Sequence, residues 1–237
     1  VLLEAHPDFD REFRGDTVHP STLDALDAIG LADGLHQLPH GKGRDLRAHT
    51  PTGTVTFASY ARVRAKYPYT MIVAQAKFLD YLAGHLRGYK NATLLMGANV
   101  QRLVEDGGHV RGVRYRGPDG RWHEVRAALT VAADGRFSKL RQLAGLTMTK
   151  TAPPMDVLWF RLPRADGDPG ESFDFYFGAG QMAVLVDRGD YWQIGWVFPK
   201  GGYAKLKAAG LPELHRQLRT LVPFLGDRAA AVTAWSD

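Results

Sequence analysis

The chain of 237 residues carries 45% hydrophobic, 11% aromatic and 23% charged residues, which excludes disordered, collagen-like and coiled-coil classes and leaves enough apolar material for one large domain or two modest ones. Thirty Lys and Arg against 25 Asp and Glu give a net charge of +5, spread along the chain, so a solvated surface is expected and no nucleic-acid partner. With no cysteine, no basic and apolar leader and no apolar stretch near the ~18 residues that span a bilayer, the chain is expected in the cytoplasm, with no disulfide, thiolate metal site or transmembrane segment.

Val1-Leu2-Leu3-Glu4 reads as an apolar strand ending on an acid. Pro20 suits a first helical turn, and Leu23, Leu26 and Ile29 recur at helical spacing until Gly30. Residues 45–74 surround the turn chemistry of Thr50-Pro51-Thr52-Gly53 with β-branched and aromatic residues, which predicts strands. A helix starting near Gln75 follows from Phe78, Leu79, Leu82 and Leu86 on one face. Asp106-Gly107-Gly108 and Gly117-Pro118-Asp119-Gly120 punctuate short strands and predict a β-meander. The segment 127–133 is apolar with little alternation, which predicts a strand buried on both sides in a parallel sheet, ending on Asp134-Gly135. From about residue 151 the period is two: Phe173, Phe175 and Phe177 share one strand face, and Trp192, Ile194, Trp196 and Phe198 share another. Pro212 opens a short helix with Leu214, Leu218 and Leu221.

Several segments carry candidate chemistry. Asp134, at the expected end of a buried strand with a helix beginning within a few residues, lies where open α/β folds bind ligands; the competing reading is an Asp-Gly turn with Ser138 as a helix cap. Glu4 suits a dinucleotide ribose, whose hydroxyls it would accept from, or a solvated charge. Gly178-Ala179-Gly180-Gln181-Met182-Ala183 matches GxGxx(G/A), but strand-like segments flank it on both sides, so it is expected to be a hairpin turn. His36 and His40 have i, i+4 spacing broken by Pro39, and no HExxH, GxSxG or GxxxxGK(S/T) occurs, so no metal site, serine nucleophile or phosphate loop is expected. Ten of the 25 aromatic residues fall in positions 159–198, which predicts a sheet with an aromatic face that packs on a neighbouring layer and offers a wall to a flat apolar ligand.

Glu4 at a strand end, Arg14-Gly15-Asp16-Thr17-Val18-His19-Pro20-Ser21-Thr22-Leu23 before a helix, Gln75 at the start of another, and Asp134-Gly135 with Ser138 and Arg141 together resemble one family. It is the single-component (class A) FAD-dependent aromatic monooxygenases of the p-hydroxybenzoate hydroxylase type, and the likeness covers nearly the whole chain. The resemblance implies an α/β fold: a Rossmann-like FAD-binding domain of the glutathione-reductase type, residues 1–44 and 75–150, interleaved with a β-rich substrate domain, residues 45–74 and 151–237. It implies FAD as cofactor, NAD(P)H as transient electron donor, and O2 and a small aromatic substrate as partners, the ring being hydroxylated through a flavin C4a-hydroperoxide.

By the same resemblance Glu4 binds the adenosine ribose and Arg14 the phosphate and ribityl region, while the backbone of Gly15, Asp16 and Thr17 passes near the isoalloxazine ring. Gln75 reaches the pyrophosphate or ribityl chain, Val100 meets the adenine through its backbone, and Asp134 belongs to a motif that supports FAD and NAD(P)H. No catalytic side chain and no metal ligand is implied. The family's N-terminal GxGxxG strand-loop-helix is absent, and its C-terminal Gly-Asp motif is expected somewhat beyond Asp237, so the sequence reads as an internal fragment, truncated at both ends. Two alternatives stand beside this one. The first is a related flavoprotein, either an isoprenoid-lipid reductase or a halogenase, whose WxWxIP segment Trp192-Gln193-Ile194-Gly195-Trp196-Val197 matches only loosely. The second is a non-enzymatic module binding an anionic or aromatic ligand.

Overall fold

The structure, a computed structural model, describes residues 1–10, 16–149, 151, 153–170, 172–178 and 180–235. In chain order the strands are β1 (Leu2–Leu3), β2 (Thr17–Val18), β3 (His40–Gly43), β4 (Asp45–Thr50), β5 (Gly53–Ser59), β6 (Thr70–Val73), β7 (Leu94–Leu95), β8 (Asn99–Asp106), β9 (His109–Arg116), β10 (Trp122–Arg126), β11 (Met155–Pro163), β12 (Ser172–Gly178), β13 (Gln181–Asp187) and β14 (Tyr191–Pro199). The α-helices are α1 (Pro20–Ala28), α2 (Ala32–Leu35), α3 (Gln75–Arg87), α4 (Lys139–Leu143), α5 (Gly202–Ala209) and α6 (Leu211–Leu221). Two compact units divide the chain: Val1–Phe13 with Ala76–Thr151, and Arg14–Gln75 with Ala152–Asp237.

In the first unit β1 pairs in parallel with β7, and β8, β9 and β10 form an antiparallel meander. Gly107 and Gly108, both at positive φ, make the tight β8–β9 connection that two L-side chains would resist. The segment 127–133, expected as a strand buried on both sides, is not a strand. The Ala127 N–H donates to the Arg111 carbonyl, and beyond it Leu129 and Val131 are 77% and 76% exposed. An apolar run states what a segment would bury, whereas a strand also needs an edge to bond to, and no ladder partner for this one occurs among the described residues.

The second unit holds a three-stranded sheet, β2-β6-β3, and a six-stranded sheet, β11-β14-β13-β12-β4-β5, in which only the β12–β4 junction is parallel. Period two decides what each face of the large sheet does. Trp192, Ile194, Trp196 and Phe198 of β14, with Leu185 and Phe160 from neighbouring strands, point to one side and are buried there against Leu206 of α5 and Leu214 and Leu218 of α6. Leu214 and Leu218 stand four residues apart and so lie on one face of α6. Each such Leu, fully withdrawn from water, contributes about 2–3 kcal/mol.

On the opposite side Phe173 and Val186 pack with Ile72 of β6, and Leu46, Phe175 and Val184 border them. Gly43 permits that meeting, since a Cβ there would come 2.1 Å from the Phe173 ring. The expected hairpin between β12 and β13 is present, with Gly178 opposite Gln181 and Gly180 at positive φ. Helix α1 begins at Pro20 as expected and buries Leu23 and Leu26; it ends at Ala28, so Ile29 lies past the last turn and is exposed.

Candidate functional site

In the second unit Asp16 connects three elements. Its carbonyl accepts the Val73 N–H at 2.9 Å as β2 begins to pair with β6. Its carboxylate Oδ1 accepts the N–H of Gln75, the first residue of α3, at 3.0 Å. The first N–H groups of any helix lack an intrahelical acceptor, and here a strand-borne Asp supplies one along with a favourable negative charge. Oδ2 lies 2.9 Å from Nη1 of Arg188, on the turn between β13 and β14. The two side chains are only 11% and 8% exposed. The contact is an ion pair without the alignment of a hydrogen bond, and Arg188 Nη1 has no hydrogen-bond partner among the described residues. Gln75 has its side-chain Oε1 buried with no partner among the described residues. A buried acceptor left in that state costs about 1–3 kcal/mol. Thr17 sits in β2 beside this group, while Arg14 and Gly15 lie outside the described residues.

The site residues of the first unit fall in two places. Glu4 follows β1; its N–H donates to the Leu95 carbonyl, its carbonyl accepts from Ala98, and its Oε1 accepts the His6 N–H at 2.9 Å. Val100 is half-buried in β8 opposite Tyr115. Asp134 accepts from the Ser138 hydroxyl and from the Leu140 N–H at 3.0 Å, and Ser138 Oγ in turn accepts the Arg141 N–H. Burial opposes ionisation of Asp134, but these hydrogen bonds outweigh it and hold the carboxyl below the usual carboxylate range. The side chains of Asp134 and Ser138 therefore do what the capping reading expects, at the start of α4. Since 127–133 is not a strand, Asp134 does not end one. It lines a cavity of about 490 Å³ with Leu103, Leu129, Thr130 and Leu140, and the hydroxyl of Thr130 is buried there with no partner among the described residues.

Sequence reasoning missed two groups. Arg188 has no local signal, because its partner Asp16 is remote in sequence. Asp174, fully buried on β12, binds Arg47 Nε at 3.2 Å, His49 Nε2 at 2.6 Å and the Ser172 hydroxyl at 2.6 Å. His49 stacks at 4.2 Å on Tyr176, whose hydroxyl burial, aided by the Asp174 charge, pushes up to about 12. The alternation of Ser172, Asp174 and Tyr176 with three Phe residues was the available signal: a strand polar on one face and aromatic on the other.

That aromatic face stays partly open. Phe57 meets Phe175 edge-on at 5.6 Å, and Phe57, Val157 and Phe177 are exposed. A cavity of about 670 Å³ at one end of the sheet is lined by Thr50, Met155, Phe177, Met182 and Val197. His36 and His40 lie with their rings 5.6 Å apart. His36 Nδ1 donates to the Ala32 carbonyl, so in the neutral ring Nε2 accepts from the buried Tyr69 hydroxyl at 2.6 Å.

A family described as the FAD binding domain matches residues 1–178. The 6-methylpretetramide 4-monooxygenase of Streptomyces rimosus is 32% identical over 96% of this chain and 54% of its own length. The digeranylgeranylglycerophospholipid reductase 2 of Methanothermobacter thermautotrophicus is 30% identical over 74% of this chain and 42% of its own. The crystal structure of Pseudomonas aeruginosa PqsL in complex with 2-aminobenzoylacetate superposes with a TM-score of 0.77 at 20% identity, over 99% of this chain and 64% of that one, which is a likeness of fold. The chain spans about half the length of the curated relatives it matches. Its mixed α/β architecture with one large sheet is that of an FAD-binding fold. No helix among the described residues is long and apolar enough to cross a membrane.

Proposed function

The chain belongs to the FAD binding domain family, and from that premise we propose that the whole protein is an FAD-dependent monooxygenase, hydroxylating a small aromatic substrate with O2 and NAD(P)H. The observation that carries the reading is Gln75: a buried, unpartnered side-chain oxygen at a helix start, beside a backbone N–H already satisfied by Asp16. Such an acceptor fits a hydroxyl-bearing chain, and a helix start fits the phosphates that follow it. Gln75 holds the ribityl or pyrophosphate part, with Arg14, Gly15, Asp16 and Thr17 along the same stretch. Glu4 serves the adenosine ribose, Val100 the adenine through its backbone, and the Asp134 segment supports FAD and the transient NAD(P)H.

Bound FAD supplies the activation of O2 with electrons from NAD(P)H. The chain's own residues bind, orient and exclude water. Phe57, Phe175 and Phe177 offer an apolar aromatic surface against which a ring can pack. The cysteine-free composition suits the cytoplasm.

Titrating the full-length protein with FAD, followed by visible absorbance, tests the cofactor. Saturable uptake supports the reading, and colourless protein that takes up no FAD overturns it. Gln75→Ala removes one hydrogen-bonding group and is expected to weaken FAD binding by about tenfold. A second reading, reduction of an isoprenoid lipid, is favoured by the similarity to the reductase. NAD(P)H oxidation that rises with added aromatics and consumes O2 in step separates the two, because a reductase consumes no O2.

A further inference from the structure

We infer that Arg188 is a positioning residue for the flavin, holding the Asp16 carboxylate in place and through it the start of α3 at Gln75; this rests on the proposed flavin-binding reading. The Asp16 carboxylate has one oxygen on the Gln75 N–H and the other against Arg188, so it is fixed at both ends. Without Arg188 the carboxylate is free to turn toward solvent, the Gln75 N–H loses its acceptor, and the side chain that carries the unpartnered Oε1 loses its anchor.

Arg188 is itself held. Its N–H donates to the Tyr191 carbonyl at 3.0 Å, and the neighbouring Gly189 N–H donates to Asp187, whose carboxylate lies 3.2 Å from Arg164 Nε. The turn is therefore a braced arm of the six-stranded sheet that delivers one guanidinium to Asp16. A nearly buried ion pair gains little stability over apolar packing of the same volume, because both charges lose their water. Its distinctive property is direction, and the direction here ends at Gln75.

Full-length wild type, Arg188→Ala, Arg188→Lys, Asp16→Asn, Arg164→Ala and the Asp16→Asn/Arg188→Ala double variant test this by FAD titration, together with hydrogen exchange at the Gln75 amide measured without flavin. Arg164→Ala removes a charged partner of Asp187 and leaves both the Arg188 N–H bond to the Tyr191 carbonyl and the Asp16 pair in place. Expected are a tenfold or greater rise in the FAD dissociation constant for Arg188→Ala, recovery of most of it by Arg188→Lys, and a double variant no weaker than the worse single one. Arg164→Ala is expected within twofold of wild type. Loss of Gln75 amide protection in Arg188→Ala but not in Arg164→Ala supports the mechanism with no flavin present. Wild-type FAD affinity and Gln75 protection in Arg188→Ala overturn the inference alone, as does Arg164→Ala weakening FAD as much as Arg188→Ala. A wild-type protein that takes up no FAD removes the flavin reading and the inference with it.

Discussion

Two apolar stretches of this chain meet opposite fates. Trp192, Ile194 and Trp196 of β14 are fully withdrawn from water beneath α5 and α6, while Leu129 and Val131 of the segment 127–133 stand in the open. Both have the hydrophobicity of core strands. The difference is partners: β14 has a ladder on each side and a helix layer on one face, and 127–133 has, among the described residues, one backbone hydrogen bond at its start. Hydrophobic pattern records a demand for burial, and neighbours decide whether it is met.

The largest expected effect breaks the comparison most directly. Leu218→Ala, at a position with no exposed surface, is expected to cost about 2–5 kcal/mol. Leu129→Ala is expected within about 0.5 kcal/mol of wild type. Urea unfolding midpoints read both, and similar losses at the two positions would show that 127–133 is in fact packed.

The next test asks how the sheet's helix-covered side is closed. Hydrogen bonds from Arg228 hold the Asp168 carboxyl down at about 2, burial opposes this, and the Trp192 indole N–H reinforces it. The folded value lies below the ordinary 3.8, so the stabilisation is fully present above pH 4 and is lost as pH falls from there through about 2. Asp168→Asn should therefore cost about 1–2 kcal/mol near pH 7, after allowance for solvent screening. It should also flatten the acid limb of the stability curve between pH 4 and 2. An unchanged acid limb would place the clamp elsewhere.

The smallest effect sharpens the other side of the comparison. Ser138→Ala removes the hydroxyl that links Asp134 to the Arg141 N–H and is expected to cost about 1 kcal/mol. Local hydrogen exchange over residues 138–144 should rise while the six-stranded sheet stays protected. Equal loosening of both would show that the two regions unfold as one.

What the sequence made legible was local. Pro20 and Gln75 mark the starts of α1 and α3, the four aromatic and aliphatic residues of β14 alternate into one core, and Gly180 turns a hairpin where a phosphate-loop pattern had matched by chance. Each needs only neighbours a few residues away. The Asp16–Arg188 pair, the Asp174 cluster and the exposure of 127–133 depend on segments remote in sequence, and composition carries no record of which remote segment arrives. The candidate site was legible to the same extent: Gln75 stood out as a helix start, but Arg188, which pairs with the Asp16 that bonds it, did not.

Gly43 draws one last consequence. The ribbon of β3 crosses the Phe173 ring at a separation that leaves no room for even a methyl group, so the spacing between the small sheet and the large one is set by an atom that is missing. Alanine there would act as a wedge, prying the two sheets apart along a seam that has no slack to absorb it.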